Sequence, residues 1–209
     1  MICAVVLAAG RSERMGTQKL LLPLGGKPVI VRIVDELFSS PVERILVVTG
    51  RDGTRLREVL GERPVQFVEN PDPGSDMLGS IRCGLRALPA GCGAVLVTLG
   101  DQPGITAGLV SNLIRCLREG NPIVVPASAG HRGHPVLLSR RFCQEILTGL
   151  DREGLRGLLE AHTAEVFRLP VTSRAVLEDM DTPADYQRHE RRSADALKQR
   201  PARPRDQSG

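Results

Sequence analysis

The order of segments along the chain predicts an α/β fold, a doubly wound, mostly parallel sheet flanked by helices. Three observations lead there. Short apolar runs alternate with stretches of helical periodicity. Several of the runs are apolar throughout, as strands covered on both faces require. Hydrophobic residues make up 41% of the 209 while aromatics make up only 2%, with no Trp, so the core is built from Val, Leu, Ile and Ala.

The runs 2–7, 44–49, 64–69, 94–99, 122–126, 135–138 and 164–169 are the expected strands. Between them, 28–40, 54–60, 77–88 and 107–119 place apolar residues at helical spacing, with Pro28 expected at a first helical position. The length suits one domain, placed at 1–190, followed by a tail at 191–209 that is expected to be disordered. Seven of the 28 basic residues but three of the 24 acids fall in 188–209, so positions 1–187 are formally neutral. The net charge of +4 therefore belongs to the tail and does not make the domain a nucleic-acid binder.

No run approaches the roughly 20 apolar residues that span a bilayer, and Met1 leads into a short apolar run without a basic leader, so a cytoplasmic location is expected. The five cysteines are scattered, without CxxC spacing, and point neither to a disulfide framework nor to zinc.

In a doubly wound sheet, ligands bind beyond the carboxyl ends of the strands. The first strand ends in LAAGRSERMGTQK, which collects Leu7, Ala8, Ala9, Gly10 and Gly16 with two cations, Arg14 and Lys19. Small residues let backbone N–H groups approach an anion, and the cations neutralise phosphate charge, so a triphosphate is the expected ligand. The loop is not a P-loop, because Thr17 and Gln18 separate Gly16 from Lys19, nor is it GxGxxG. A second apolar strand runs directly into Asp101, a hard oxygen donor on the same edge that suits Mg²⁺ shared with substrate phosphates.

The pattern LAAGxSxRMGxxKLLLPxxGKP at 7–28, with GDQP at 100–103, GHP at 133–135 and DMDTP at 179–183, resembles the MobA-like nucleotidyltransferases over roughly residues 2–190. Within that group, the LAAG form is similar to the molybdenum cofactor cytidylyltransferases. The resemblance implies a Rossmann-like nucleotidyltransferase fold and cytidylyl transfer from CTP to the phosphate of molybdopterin, with a molybdenum hydroxylase as client. It further implies Arg14, Lys19 and Asp101 as catalytic residues, Mg²⁺ on Asp101 and Asp181, and Leu7, Ala8, Ala9, Gly10 and Ser80 around the nucleotide. His134 and Arg156 fall on the acceptor side.

The 175–180 segment reads as strand-like, which would put Asp179 and Asp181 on one face. Two departures from the family pattern stand out: Gly79 where a serine is usual, and Asp151 to Arg156 in place of GDxGxR. Alternatives of the same fold are transfer from GTP to the same pterin or from CTP to a sugar or polyol phosphate. An alternative of another class is a non-catalytic protein that delivers molybdenum cofactor.

Overall fold

The structure, a computed structural model, describes residues 1–10, 15, 18–51, 53–72, 74–151 and 153–198. Its strands are β1 (Ile2–Ala8), β2 (Pro23–Leu24), β3 (Lys27–Pro28), β4 (Arg44–Thr49), β5 (Gln66–Glu69), β6 (Ala94–Leu99), β7 (Ile123–Ser128), β8 (His131–Arg132), β9 (Val136–Ser139) and β10 (Val166–Pro170). The helices are α1 (Val29–Phe38), α2 (Thr54–Leu60), α3 (Met77–Arg86), α4 (Ala107–Arg118), α5 (Cys143–Thr148), α6 (Gly154–Ala161) and α7 (Pro183–Lys198). All seven expected strands form.

The main sheet runs β10-β7-β9-β6-β1-β4-β5, with β8 paired to β7. It is parallel except at β9, which lies antiparallel between β6 and β7, and at the short β7–β8 pair. Alternation along the strands divides the core into two layers. Ala4, Val6, Val47, Leu96 and Leu137 face α1, α2 and α4, while Cys3, Val5, Val48, Val97 and Val136 face α3, α5 and α6. Where α3 crosses the sheet, a methyl on Gly84 would meet Val5 Cγ1 at 2.4 Å, so glycine permits the close approach. Of the cysteines, four are buried and Cys83 is partly so, all as free thiols.

The helix starts follow local chemistry. Thr106 caps α4 by accepting from Leu109 N at 3.2 Å, and Asp76 caps α3 by accepting from Gly79 N at 2.9 Å. Pro28 pairs with Pro23 in the β2–β3 hairpin, so α1 opens one residue later than the sequence suggests, at Val29.

One expectation is corrected. The 175–180 segment is not a strand: residues Arg174–Leu177 form a 3₁₀ turn, and the segment bonds to loops instead of to a sheet edge, through His134 N to Val176 O at 3.0 Å and Met180 N to Asp101 O at 3.0 Å. Helix α7 spans Pro183–Lys198 and so crosses the boundary placed at 190. It is held by packing that its polar composition conceals: His189 and Ser193 are buried, Arg32 donates to Ser193 Oγ at 3.0 Å, and the Tyr186 hydroxyl donates to Pro23 O at 2.6 Å.

Burial pushes the His189 ring below its usual 6.5, although Glu178 opposes the shift. The unfolded chain therefore takes up this proton at higher pH than the folded one, and stability is lost as pH falls below 6.5. Thermal melts from pH 7.5 down to 5.5 are expected to show a falling midpoint, with a shallower fall in His189→Gln; an unchanged slope would contradict the assignment.

Candidate functional site

The site forms where β1 and β6, hydrogen-bonded neighbours, end together: Leu7 pairs with Leu99, and Gly100 N donates to Leu7 O at 2.9 Å. Gly100 has no room for a side chain, since a Cβ would lie 2.7 Å from Leu7 O. Asp101 follows directly. Thr106 supplies the α4 cap, which leaves the Asp101 carboxylate outside that role.

Asp181 reaches the same edge by another route. The turn at Arg174–Leu177 presses on two glycines: a Cβ on Gly104 would meet that of Ala175 at 2.4 Å, and one on Gly133 would meet Val176 O at 2.3 Å. Gln102 Nε2 then donates to Asp179 Oδ1 at 2.6 Å, and Met180 N to Asp101 O. The α7 cap is built by the next residues, with Thr182 N donating to Asp185 Oδ2 at 2.7 Å and Asp185 N to Thr182 Oγ1 at 3.2 Å. Asp181 is thereby spared from capping.

Lys19, at the start of the 3₁₀ turn Lys19–Leu21, joins the two acids. Its ammonium donates to Asp101 Oδ2 at 2.5 Å and to Asp181 Oδ1 at 2.7 Å. The Lys19 side chain is 12% exposed, against 20% for Asp101 and 37% for Asp181. Burial alone would lower the Lys19 pKa, but the hydrogen bonds and charges of the two carboxylates outweigh it and hold the ammonium above its usual value.

The remaining expected residues are distributed around this centre. Leu7 and Ala8 end β1, and Gly10 is open, with nothing within 4 Å of where a Cβ would stand. Arg14 lies outside the described residues. His134, joined to Pro135 by a cis peptide, is largely buried near Asp179 and Asp101; burial lowers its pKa below 6.5, and its Nδ1 has no partner among the described residues. Ser80 is buried on α3, accepting from Asn70 Nδ2 at 3.0 Å. Gly79 beside it lies against the Ser75 side chain. Arg156 is exposed on α6 and paired with Glu160 of its own helix at 2.8 Å.

Three further contributors emerge only from the fold. Asn70 and Gln102 sit within recognisable motifs, but their sequence context does not reveal what they hold. Arg82 bonds to Ile146 O at 2.9 Å and Gly149 O at 2.5 Å and pairs with Asp151 at 2.7 Å, tying α3 to the turn before α6.

Two carboxylates meeting one ammonium at the carboxyl edge offer hard oxygen donors, and these fit a divalent cation such as Mg²⁺ that completes its shell with phosphate and water. Among the described residues, no group of three or more His, Cys, Asp or Glu converges that could hold a metal ion. No helix among them is long and apolar enough to cross a membrane.

A doubly wound sheet that brings a small-residue loop, a lysine and two acids to one edge defines a nucleotidyltransferase architecture. The chain belongs to the family of the MobA-like NTP transferase domain, whose profile matches residues 4–166. It is 25% identical over 187 residues to the molybdenum cofactor cytidylyltransferase of Escherichia coli, covering 88% of this chain and 93% of that one. It is 40% identical over 122 residues to the bifunctional protein GlmU of Symbiobacterium thermophilum, but this match covers 57% of the chain and only 26% of that longer protein. Among solved structures, Rv0371c from Mycobacterium tuberculosis superimposes with a TM-score of 0.82 at 27% identity over 91% of this chain and 97% of that one. A manganese complex of Rv0371c is also similar, with a TM-score of 0.77 at 25% identity, covering 91% of this chain and 98% of that one.

The contact between Gly133 and Val176 O is between backbones and has no flexible side chain to yield. Gly133→Ala is expected to cost about 1–3 kcal/mol, as overpacked positions do, and to displace the segment that carries Asp181. Chemical denaturation would measure the loss, and wild-type stability in the variant would show that the segment is not held there.

Proposed function

We propose that the chain transfers the cytidylyl group of CTP to the terminal phosphate of molybdenum cofactor, releasing pyrophosphate. The observation that carries this reading is the meeting of Lys19, Asp101 and Asp181 at the end of β1 and β6. The near full-length similarity to the Escherichia coli cytidylyltransferase supports the choice of substrates.

The reaction moves one phosphorus centre. An oxygen of the acceptor phosphate attacks the α-phosphorus of CTP, a P–O bond forms on one side, and the bond to pyrophosphate breaks on the other. Such a transfer needs positioning and charge neutralisation more than a protein nucleophile. Leu7, Ala8, Ala9 and Gly10 bring backbone to the triphosphate, and Lys19 and Arg14 balance its charge and that of the departing pyrophosphate. Asp101 and Asp181 hold Mg²⁺, which when bound neutralises phosphate charge as a Lewis acid. Ser80 supports the base side through Asn70, and His134 and Arg156 face the pterin. The client of the product is a molybdenum hydroxylase.

A second reading, transfer from CTP to a polyol phosphate, has its own support. The 2-C-methyl-D-erythritol 4-phosphate cytidylyltransferase of Streptomyces coelicolor is 36% identical over 132 residues, a match covering 59% of the chain and 48% of that protein.

Pyrophosphate release by the purified protein with Mg²⁺ and molybdenum cofactor separates these two readings from guanylyl transfer and from cofactor delivery without turnover. Release is expected with CTP above GTP, ATP or UTP, and Asp101→Ala is expected to lower it about 100-fold or more. A preference for GTP moves the protein to guanylyl transfer, release only with a polyol phosphate supports the second reading, and cofactor binding without release supports delivery.

Arg156→Ala tests the acceptor side alone, because this residue is exposed and, among the described residues, pairs with Glu160 of its own helix. It is expected to leave the melting temperature and the KM for CTP unchanged while raising the KM for the pterin; an unchanged pterin KM removes Arg156 from the site.

A further inference from the structure

We propose that Lys19 is the resident counter-cation of the Asp101–Asp181 pair and exchanges with the divalent metal, so that metal binds firmly only together with the nucleotide. The inference rests on the reading that these two carboxylates hold the metal.

The two acids come from separate parts of the chain, Asp101 just after β6 and Asp181 just before α7, yet a carboxylate oxygen of each touches the same Nζ. An incoming hard cation seeks the same oxygens. Entering alone, it would leave the ammonium beside a dication, and like charges at such distance repel strongly in a partly buried site. Lys19 is also equipped to move. Its backbone is anchored, since Leu20 is buried, Leu22 N donates to Lys19 O at 3.3 Å and Val29 N donates to Leu22 O at 3.1 Å. Its four-carbon stem can nevertheless swing the head without shifting the main chain.

A triphosphate resolves the conflict by bringing anionic oxygens for the displaced ammonium and further oxygens for the metal. Neither ligand alone replaces both halves of the broken ion pair; the two together do. The same lysine thus discourages metal in the empty site and neutralises phosphate in the filled one.

Mn²⁺ binding followed by electron paramagnetic resonance, without turnover, tests the exchange. Without nucleotide, Lys19→Met is expected to bind Mn²⁺ about ten-fold more tightly than wild type, or better, because a competing charge has been removed. Lys19→Gln, which keeps a polar head between the acids, is expected to shift the same way and guards against loss of fold in the first variant; circular dichroism establishes that each is folded. In wild type, a non-hydrolysable CTP analogue is expected to tighten Mn²⁺ binding beyond that of the free nucleotide. Unchanged or weaker binding by both variants overturns the exchange while leaving the metal site standing. Asp101→Asn that binds Mn²⁺ with nucleotide as wild type does overturns the metal reading itself, and the exchange with it.

Discussion

Everything at this site depends on how closely the segment before α7 lies on the ends of β6 and β9. That contact is made of main chain: Met180 N to Asp101 O, His134 N to Val176 O, and glycines at 104 and 133 where any side chain would collide. Backbone contacts of this kind fix position more firmly than side-chain contacts, because neither partner has rotamers to explore. They explain why an acid some eighty residues from Asp101 in sequence comes to share one ammonium with it. They also give the glycines of the GDQPG and RGHP segments a purpose that is steric and has nothing to do with turning the chain.

Charge then completes what packing begins. Two carboxylates brought together in a partly closed site repel each other, and the lysine offsets this by bonding to both. Burial, which by itself would weaken the ammonium, is overcome by its partners. The site thus carries its own counter-charge, supplied by one residue to both acids. Around it, Asn70 beneath α3 and Gln102 against Asp179 keep neighbouring polar groups bonded without adding charge.

Much of this is legible in the sequence, for identifiable reasons. Strands buried on both faces leave uninterrupted apolar runs, so β1, β4 and β6 stand out within a residue of their bounds. An acid directly after such a run, as at Asp101, is placed on the ligand edge by the parallel topology alone. The 175–180 segment misleads because its apolar residues, Val176 and Met180, are buried beneath loops, and burial there carries no strand periodicity. The α7 extension is hidden because its contacts use polar side chains, Ser193 and His189, whose burial composition does not reveal. The pairing of Arg156 needs the helix itself, which brings Glu160 to it one turn on.

The reversed strand β9 divides the edge between two kinds of loop. Loops after parallel strands arrive with the chain already committed by the strand behind them, and Gly100 and Asp101 inherit their places from β6 in this way. The loop before β9 arrives from the opposite sense, with Gly133 to Pro135 entering the sheet where β6 leaves it, since Val136 pairs with Val97. Its upstream part is the two-residue turn at Ala129 and Gly130, both with positive φ, which joins β7 to β8 and fixes the register of their pairing. One side of the edge is thus set by the strand behind it, and the other by a hairpin that folds back on β7 before the chain reverses into β9.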